Sequence, residues 1–368
     1  MGKDLIIGLI AAPELPEEIV NKFLNDLPEV FKHSIDGSIS WDVEMVVDPL
    51  TGAAEDVDVI LDETLKIRNE KGWDYAISLT DLPIYYGEYV VAADNSYQNK
   101  IAQISIPAFG WLSLQGSIKN AIIHILKELI FYAESARDNV EAEQLSKKVE
   151  KDFPIYKAKR IRPSSHSTKA NVRYVVVPKW DGKIRLIIGM TKSNRPMSIM
   201  GSFKKVLAAA FTTGAFGLIF TTMWNLGIIL STLRLSGLMV AAVSAIIIWI
   251  IFNHDLWEGP SAGNEKKMRR LYNVTTLSTL FISVITYYVL LWIFFLTAAL
   301  VLIPPEVLME SVSIEGDPSV IHYIRVAWVA TSISTMAGAI GAGMENEEMV
   351  RDITYGYRQK RRYNRIQN

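Results

Sequence analysis

Between Val206 and Phe252 the chain carries a single charge, Arg234. A membrane span needs about 20 apolar residues, so this stretch is long enough for two. The break falls at Ser231–Gly237, where Ser, Thr, Arg, Ser and Gly cluster. A third apolar run, 277–303, stops at Pro304-Pro305, and a fourth covers 321–343. The pattern predicts an all-α four-helix transmembrane bundle over 204–345, with spans near 206–231, 236–252, 277–303 and 321–343.

Lys and Arg near the span ends set the orientation. Lys192, Arg195, Lys204 and Lys205 precede the first span, and Lys266, Lys267, Arg269 and Arg270 separate the second from the third. Arg351, Arg358, Lys360, Arg361, Arg362 and Arg365 follow the fourth. The opposite side has only Arg234, with Glu306, Glu310, Glu315 and Asp317. Both termini and the 253–276 loop are therefore expected in the cytoplasm, and the protein in a bacterial plasma membrane as a multi-pass chain. The net charge of −1 is a cancellation. Residues 1–155 hold 13 Lys and Arg against 27 Asp and Glu, while residues 156–368 hold 25 against 12. Lys204, Lys205, Lys266, Lys267, Arg269, Arg270, Arg361 and Arg362 are expected to form a basic rim facing anionic headgroups, an attraction of about 1 kcal/mol per cation near the surface. Docking of the acidic half on this rim is an alternative use. Nucleic acid is not an expected partner.

The first three spans hold no ionisable residue except Tyr287 and Tyr288. Ion-coupled transporters usually keep a charged residue at depth, which weighs against that class. His322 and Arg325 open the fourth span, where they either snorkel to the interface or contact another span. Small residues recur at i and i+4 there: Ala337 with Gly341, Gly338 with Ala342, Ala339 with Gly343. Gly338, Gly341 and Gly343 are thus candidate helix-packing positions, inside one bundle or between protomers of a homo-oligomer.

The acidic half, 1–155, reads as an α/β cytoplasmic domain of order β-α-β-α-β-β-β-α. Its strands are expected at Leu5–Ala11, Trp41–Val47, Trp73–Leu79, Tyr89–Ala93 and Ile101–Ile106, and its helices at Pro16–Phe31, Asp56–Lys71 and Ser117–Ala136. The Leu5–Ala11 run is too short for a span and lacks a signal-peptide cleavage site. Residues 138–151 are charged and expected as a solvated helix. Residues 156–203 are expected as a connector. In it, Val172–Pro178 and Ile184–Gly189 would form a hairpin about Asp181-Gly182, a pair that suits a tight turn, and this hairpin would either extend the domain's sheet or sit at the membrane surface. Residues 346–368 are a basic tail.

After the third strand comes Thr80-Asp81-Leu82-Pro83-Ile84-Tyr85, then two strands, then a helix reading Ile122-Ile123-His124-Ile125-Leu126-Lys127-Glu128-Leu129. Over residues 4–135 this resembles the N-terminal half of zincin metalloproteases, particularly archaemetzincins, whose helix bears HExxHxxGxxH. The resemblance implies a zincin-like layered fold. His124 takes the place of the first histidine, but Ile125 replaces the general base and Glu128 the second histidine. With no Gly-x-x-His following, neither catalysis nor a bound metal is expected, and no cofactor. Asp81 and Asp94, at strand ends, join His124 and Glu128 as a candidate ligand cleft.

Ser193-Asn194-Arg195-Pro196 before the first span and Tyr355-Gly356-Tyr357-Arg358 after the last resemble stretches in uncharacterised bacterial multispan membrane proteins. That resemblance brings no activity. Nucleotide loops of the G-x-x-x-x-G-K-[ST] and G-x-G-x-x-G types and a G-x-S-x-G elbow are absent from the sequence. A membrane-anchored, non-catalytic binding, sensing or scaffold module is the expected function. The alternatives are an oligomeric channel or transporter with a regulatory domain, and a membrane enzyme using an unrecognised site, for instance around His254, Asp255 and Glu258.

Overall fold

A computed structural model describes residues 4–54, 56–134, 153–155, 157–163, 169–259, 266–312, 319–341 and 350–367. The chain forms two compact units: Met1–Ser193 with Gly356–Asn368, and Asn194–Tyr355. The expected helix at 138–151 and the glycine at 343 lie outside the described residues.

The first unit is built on a mixed eight-stranded sheet. Its strands are β1 (Asp4–Ala11), β2 (Ser40–Val47), β3 (Tyr75–Thr80), β4 (Tyr85–Tyr86), β5 (Tyr89–Ser96), β6 (Ile101–Ser105), β7 (Ala158–Ile161) and β8 (Val172–Val176). The order is β2-β1-β3-β6-β5-β8-β7, with β4 paired to β5. Strands β2, β1, β3 and β6 run parallel; β5, β8 and β7 pair antiparallel. All six residues of β3 are buried, as expected for a parallel strand covered on both faces. Helices α1 (Leu15–Asn21) and α2 (Leu27–Ser34) link β1 to β2, and α3 (Val57–Lys71) links β2 to β3. Asp56 caps α3 by accepting from the amide of Asp58, and Gly72 ends it at φ 71. Helix α4 (Leu114–Glu134) follows β6.

Strands β7 and β8 extend the antiparallel side of the sheet past residue 155. The expected hairpin is a strand followed by a helix, α5 (Lys179–Ser193). Gly182, Leu186, Gly189, Met190 and Ser193 are buried at helical spacing. Asp181 accepts from Arg185 one turn on, at 2.8 Å, so the Asp-Gly pair starts a helix instead of closing a turn. A Cβ at Gly189 would overlap the backbone of Pro107, so α5 lies close against the 106–109 turn. Finally, the basic tail forms a helix over Tyr355–Gln367 that packs into this α/β unit.

The second unit is helical: α6 (Lys204–Gly217), α7 (Thr221–Ile229), α8 (Thr232–Asn253), α9 (Lys266–Leu302), α10 (Pro305–Val312) and α11 (Val320–Gly341). The tail helix of the first unit is α12 (Tyr355–Gln367). Among the described residues, α8 and α9 are long and apolar enough to cross a membrane. Helices α6 and α7 bend by 94° and form a broken span or a re-entrant loop. The first expected span is thus not one straight helix. Phe220 adopts an extended conformation at the break. The Leu218 carbonyl freed there accepts from the Trp224 indole at 2.8 Å, which meets the need for internal hydrogen bonding in an apolar setting.

Helix α11 packs on α6, α7, α8 and α9. A Cβ at Gly338 would sit 2.8 Å from that of Ala210, so this small-residue face closes α11 on α6. Gly341 is the last residue of α11. Arg325 makes the polar contact between helices: its guanidinium donates to the carbonyls of Gly227 at 3.0 Å, Ile228 and Leu230, covering the open end of α7.

In β1, a Cβ at Gly8 would overlap the Trp73 indole, whose Nε1 donates to Glu44 at 2.8 Å. Overpacking a core costs about 1–3 kcal/mol. The Gly8→Ala variant is therefore expected to lose at least that much stability, read as a lower denaturant midpoint of the full chain.

Candidate functional site

Three of the four sequence-derived cleft residues are carboxylates, and each is buried and held by its own arginine. Asp94, in β5, accepts from Arg173 and from Gln103 at 2.8 Å. Glu128, in α4, pairs with Arg160, and Asp81, after β3, pairs with Arg362.

Glu128 accepts at Oε1 from Tyr97 and from Arg160 Nε, both at 2.8 Å. Its Oε2 accepts from Tyr174 at 2.9 Å and from Asn95. Arg160 also donates to the hydroxyls of Tyr97 and Tyr132, whose rings stack at 4.3 Å. His124 lies 3.3 Å from the Tyr174 hydroxyl, so it joins Glu128 through a shared phenol. Burial and the Glu128 charge push the Tyr97 and Tyr174 phenols far up. Burial pulls the Arg160 guanidinium down, but Tyr97 and Glu128 outweigh it and hold it above its ordinary value. The positive charge beside Glu128 is a guanidinium. Among the described residues no group of three His, Asp or Glu is placed to hold a metal.

The second constellation lies at the carboxyl ends of β1 and β3. These strands are neighbours, but the chain leaves β1 toward β2 on one side and β3 toward β4, β5 and β6 on the other. Such a switch point opens a crevice where open sheets bind ligands. Here it is lined with acceptors and filled by α12. Arg362 Nη1 donates to Asp81 Oδ1 at 2.7 Å and to the Gly52 carbonyl at 2.9 Å. Its Nη2 donates to Asp81 Oδ2 at 3.0 Å, to the Pro13 carbonyl at 3.1 Å and to Glu14 at 3.3 Å. Arg361 donates to Glu14 at 2.8 Å, Gln359 to the Ala53 carbonyl at 3.0 Å, and Arg358 to the Ser193 carbonyl at 2.7 Å.

Local backbone shapes this cradle. Glu14 sits at φ 74, a region costly for a side chain with a Cβ, and its carboxylate lies beside Arg358, Arg361 and Arg362. A Cβ at Gly52 would overlap the Arg362 guanidinium, so glycine admits the cation. Burial pushes the Asp81 carboxyl up, but the Arg362 charge, its hydrogen bonds and Arg358 outweigh it and hold Asp81 below its ordinary range. Arg362, expected at a membrane surface, is instead buried against Asp81. Arg361 is half-buried on Glu14. Sequence reasoning found Asp81 but not its pairing with Arg362 and Arg358, nor the part of Glu14 and Gly52 in holding Arg362. The available signal was the opposite charge of the two halves.

The remaining basic positions lie elsewhere. Lys204 and Lys205 open α6, exposed, and Lys266, Lys267, Arg269 and Arg270 open α9. In the 253–259 loop, His254 is buried near Trp249, and the backbone of Glu258 is held by Asn273. No family model, no curated protein and no solved structure matches the chain.

Removing one partner of a buried ion pair costs about 3–5 kcal/mol. Arg160→Leu is expected to destabilise the chain by about that amount in chemical denaturation, and Glu128→Met in the same chain should return part of the loss. A depressed folded-state pKa gives stability that is present above the unfolded carboxyl value and lost as pH falls through the folded one. The hold of Asp81 on α12 should therefore weaken only in acid, below the ordinary carboxyl range. A fluorophore on Lys360→Cys should report release there, with the pH step absent in Asp81→Asn.

Proposed function

We propose that the chain is a membrane-anchored, non-catalytic binding and sensing module whose recognition site is the acceptor-lined crevice at the ends of β1 and β3. The observation that carries this reading is the two-point grip of Asp81 on Arg362, completed by Glu14 and the carbonyls of Pro13 and Gly52. Two carboxylates and backbone oxygens around one planar fork suit a guanidinium, which offers five donors and no acceptor. The tail helix fills the crevice as a tethered ligand.

The membrane part of the reading is a four-span bundle in the plasma membrane with both termini cytoplasmic. The apolar α8 and α9, the bent pair α6–α7 and the interior helix α11 support it as its four elements. The rim of Lys204, Lys205, Lys266, Lys267, Arg269 and Arg270 would meet anionic headgroups. Exposed apolar side chains such as Val240, Ile248, Phe281 and Ile293 are left for lipid tails or for a second copy of the chain. A zincin-like layering of the α/β domain is part of the proposal; it draws support from β5 running antiparallel beside β6 and from the place of His124 and Glu128 on α4.

A second reading, a channel or transporter, is favoured by one observation, the 94° break between α6 and α7. Broken helices at membrane depth accompany transport sites.

The binding reading is tested with the full chain carrying Arg358→Gln, Arg361→Gln and Arg362→Gln, which empties the crevice. A labelled peptide of residues 355–368 is expected to bind it saturably, to bind the unmodified chain far more weakly, and to lose binding when Asp81→Asn is added. An emptied crevice that ignores the peptide would remove the basis of this reading.

A further inference from the structure

The tail helix α12 carries Arg358, Lys360, Arg361, Arg362 and Arg365 within eight positions, and it begins 14 residues after α11 ends. A cluster of this size beside a membrane span is drawn to anionic lipid. Three of these residues, Arg358, Arg361 and Arg362, are engaged in the acidic crevice of the α/β unit. The same guanidinium groups thus have two classes of anionic partner, carboxylates and phosphates, and they cannot serve both at once.

The character of the docking contact makes such competition effective. Among the described side chains of α12, Arg358, Gln359, Arg361 and Arg362 reach the crevice through hydrogen bonds and ion pairs. An interface held by apolar burial would be indifferent to the charge of a nearby bilayer. One held by arginines loses its grip when another anionic surface takes them. Lys360 is exposed on the docked helix, where a label can be carried without touching the crevice.

We propose that α12 is an exchangeable latch: it closes the crevice when the bilayer is neutral and leaves it for anionic phospholipid headgroups. This rests on the reading of the crevice as a guanidinium site. Release opens the Asp81 crevice to an arginine-bearing segment of another molecule. The chain crosses between its two units only at 193–194 and 355–356. Undocking the tail therefore frees one of the two tethers between the helical unit and the α/β unit. Lipid charge would be the signal, and crevice availability the output.

The chain has no cysteine, so two labels can be placed cleanly. Spin labels on Lys71→Cys, exposed on α3, and Lys360→Cys report the distance between the α/β unit and the tail. The full chain is reconstituted in nanodiscs of phosphatidylcholine alone and of phosphatidylcholine with an equal part of phosphatidylglycerol. One short distance is expected in the neutral discs. In the anionic discs the docked fraction should fall by about half or more, with a longer distance appearing, and added salt should restore docking by screening exposed phosphates more than the buried pair. A short distance unchanged in anionic discs would overturn the exchange and leave the crevice reading standing. A long distance already present in neutral discs would overturn both, because the tail would not be the crevice's occupant.

Discussion

A carboxylate or a guanidinium taken out of water alone is too costly to keep, and Asp81 and Arg362 are both almost fully buried. Each is tolerable because of the other. This pair lies at the carboxyl ends of β1 and β3, where the chain's connections leave toward opposite sides of the sheet, and the rest of the arrangement follows from it. The left-handed backbone of Glu14, the bare backbone at Gly52 and the course of α12 all serve one guanidinium. Because residue 362 is held in the same unit as residue 81, both ends of the helical unit emerge from one α/β unit. The magnitudes suit a reversible contact. Breaking such a pair costs about 3–5 kcal/mol when the partner stays buried. A handful of cations at an anionic surface regain a similar amount, at about 1 kcal/mol each.

Buried pairs of this kind recur twice in the unit. Arg173 pairs with Asp94, and Arg160 pairs with Glu128, which has three further donors around it. At His124 and Glu128, where the zincin resemblance would put metal ligands, the chain has a closed network of phenols and a guanidinium. Tyr97, Tyr174, Arg160 and the Asn95 amide all donate to the Glu128 carboxylate, which ties α4 to β5, β7 and β8. The helical unit uses arginine in a related way. Arg325 covers the carbonyls at the end of α7, where a broken helix would otherwise leave them unpaired.

Much of the α/β order was legible because buried parallel strands are continuous apolar runs and α3 carries its own start and stop signals, Asp56 and Gly72. Where reading failed, local sequence was ambiguous. Ile184–Gly189 fits alternation and helical spacing alike, and contact with Pro107 and the buried side of Leu186 and Met190 selected the helix. Apolar content marked the 206–231 stretch as membrane-like, but it carries no signal of direction, so the turn at Phe220 was invisible. Asp81 was legible as a strand-end acid. Its partner, 281 positions away, was not, because a cation in a basic tail looks the same whether it meets lipid, water or a buried carboxylate.

The sequence by itself determined which segments avoid water and where charge accumulates, since hydropathy and charge are properties of residues taken in order. It thereby set the acidic α/β half, the apolar helices and the basic tail. Only the tertiary structure decided which charges meet. Long-range pairing depends on strand order and on the crevice that order creates, and these arise from the packing of the whole sheet. That is why Arg362 belongs to the core of the first unit and not to its surface.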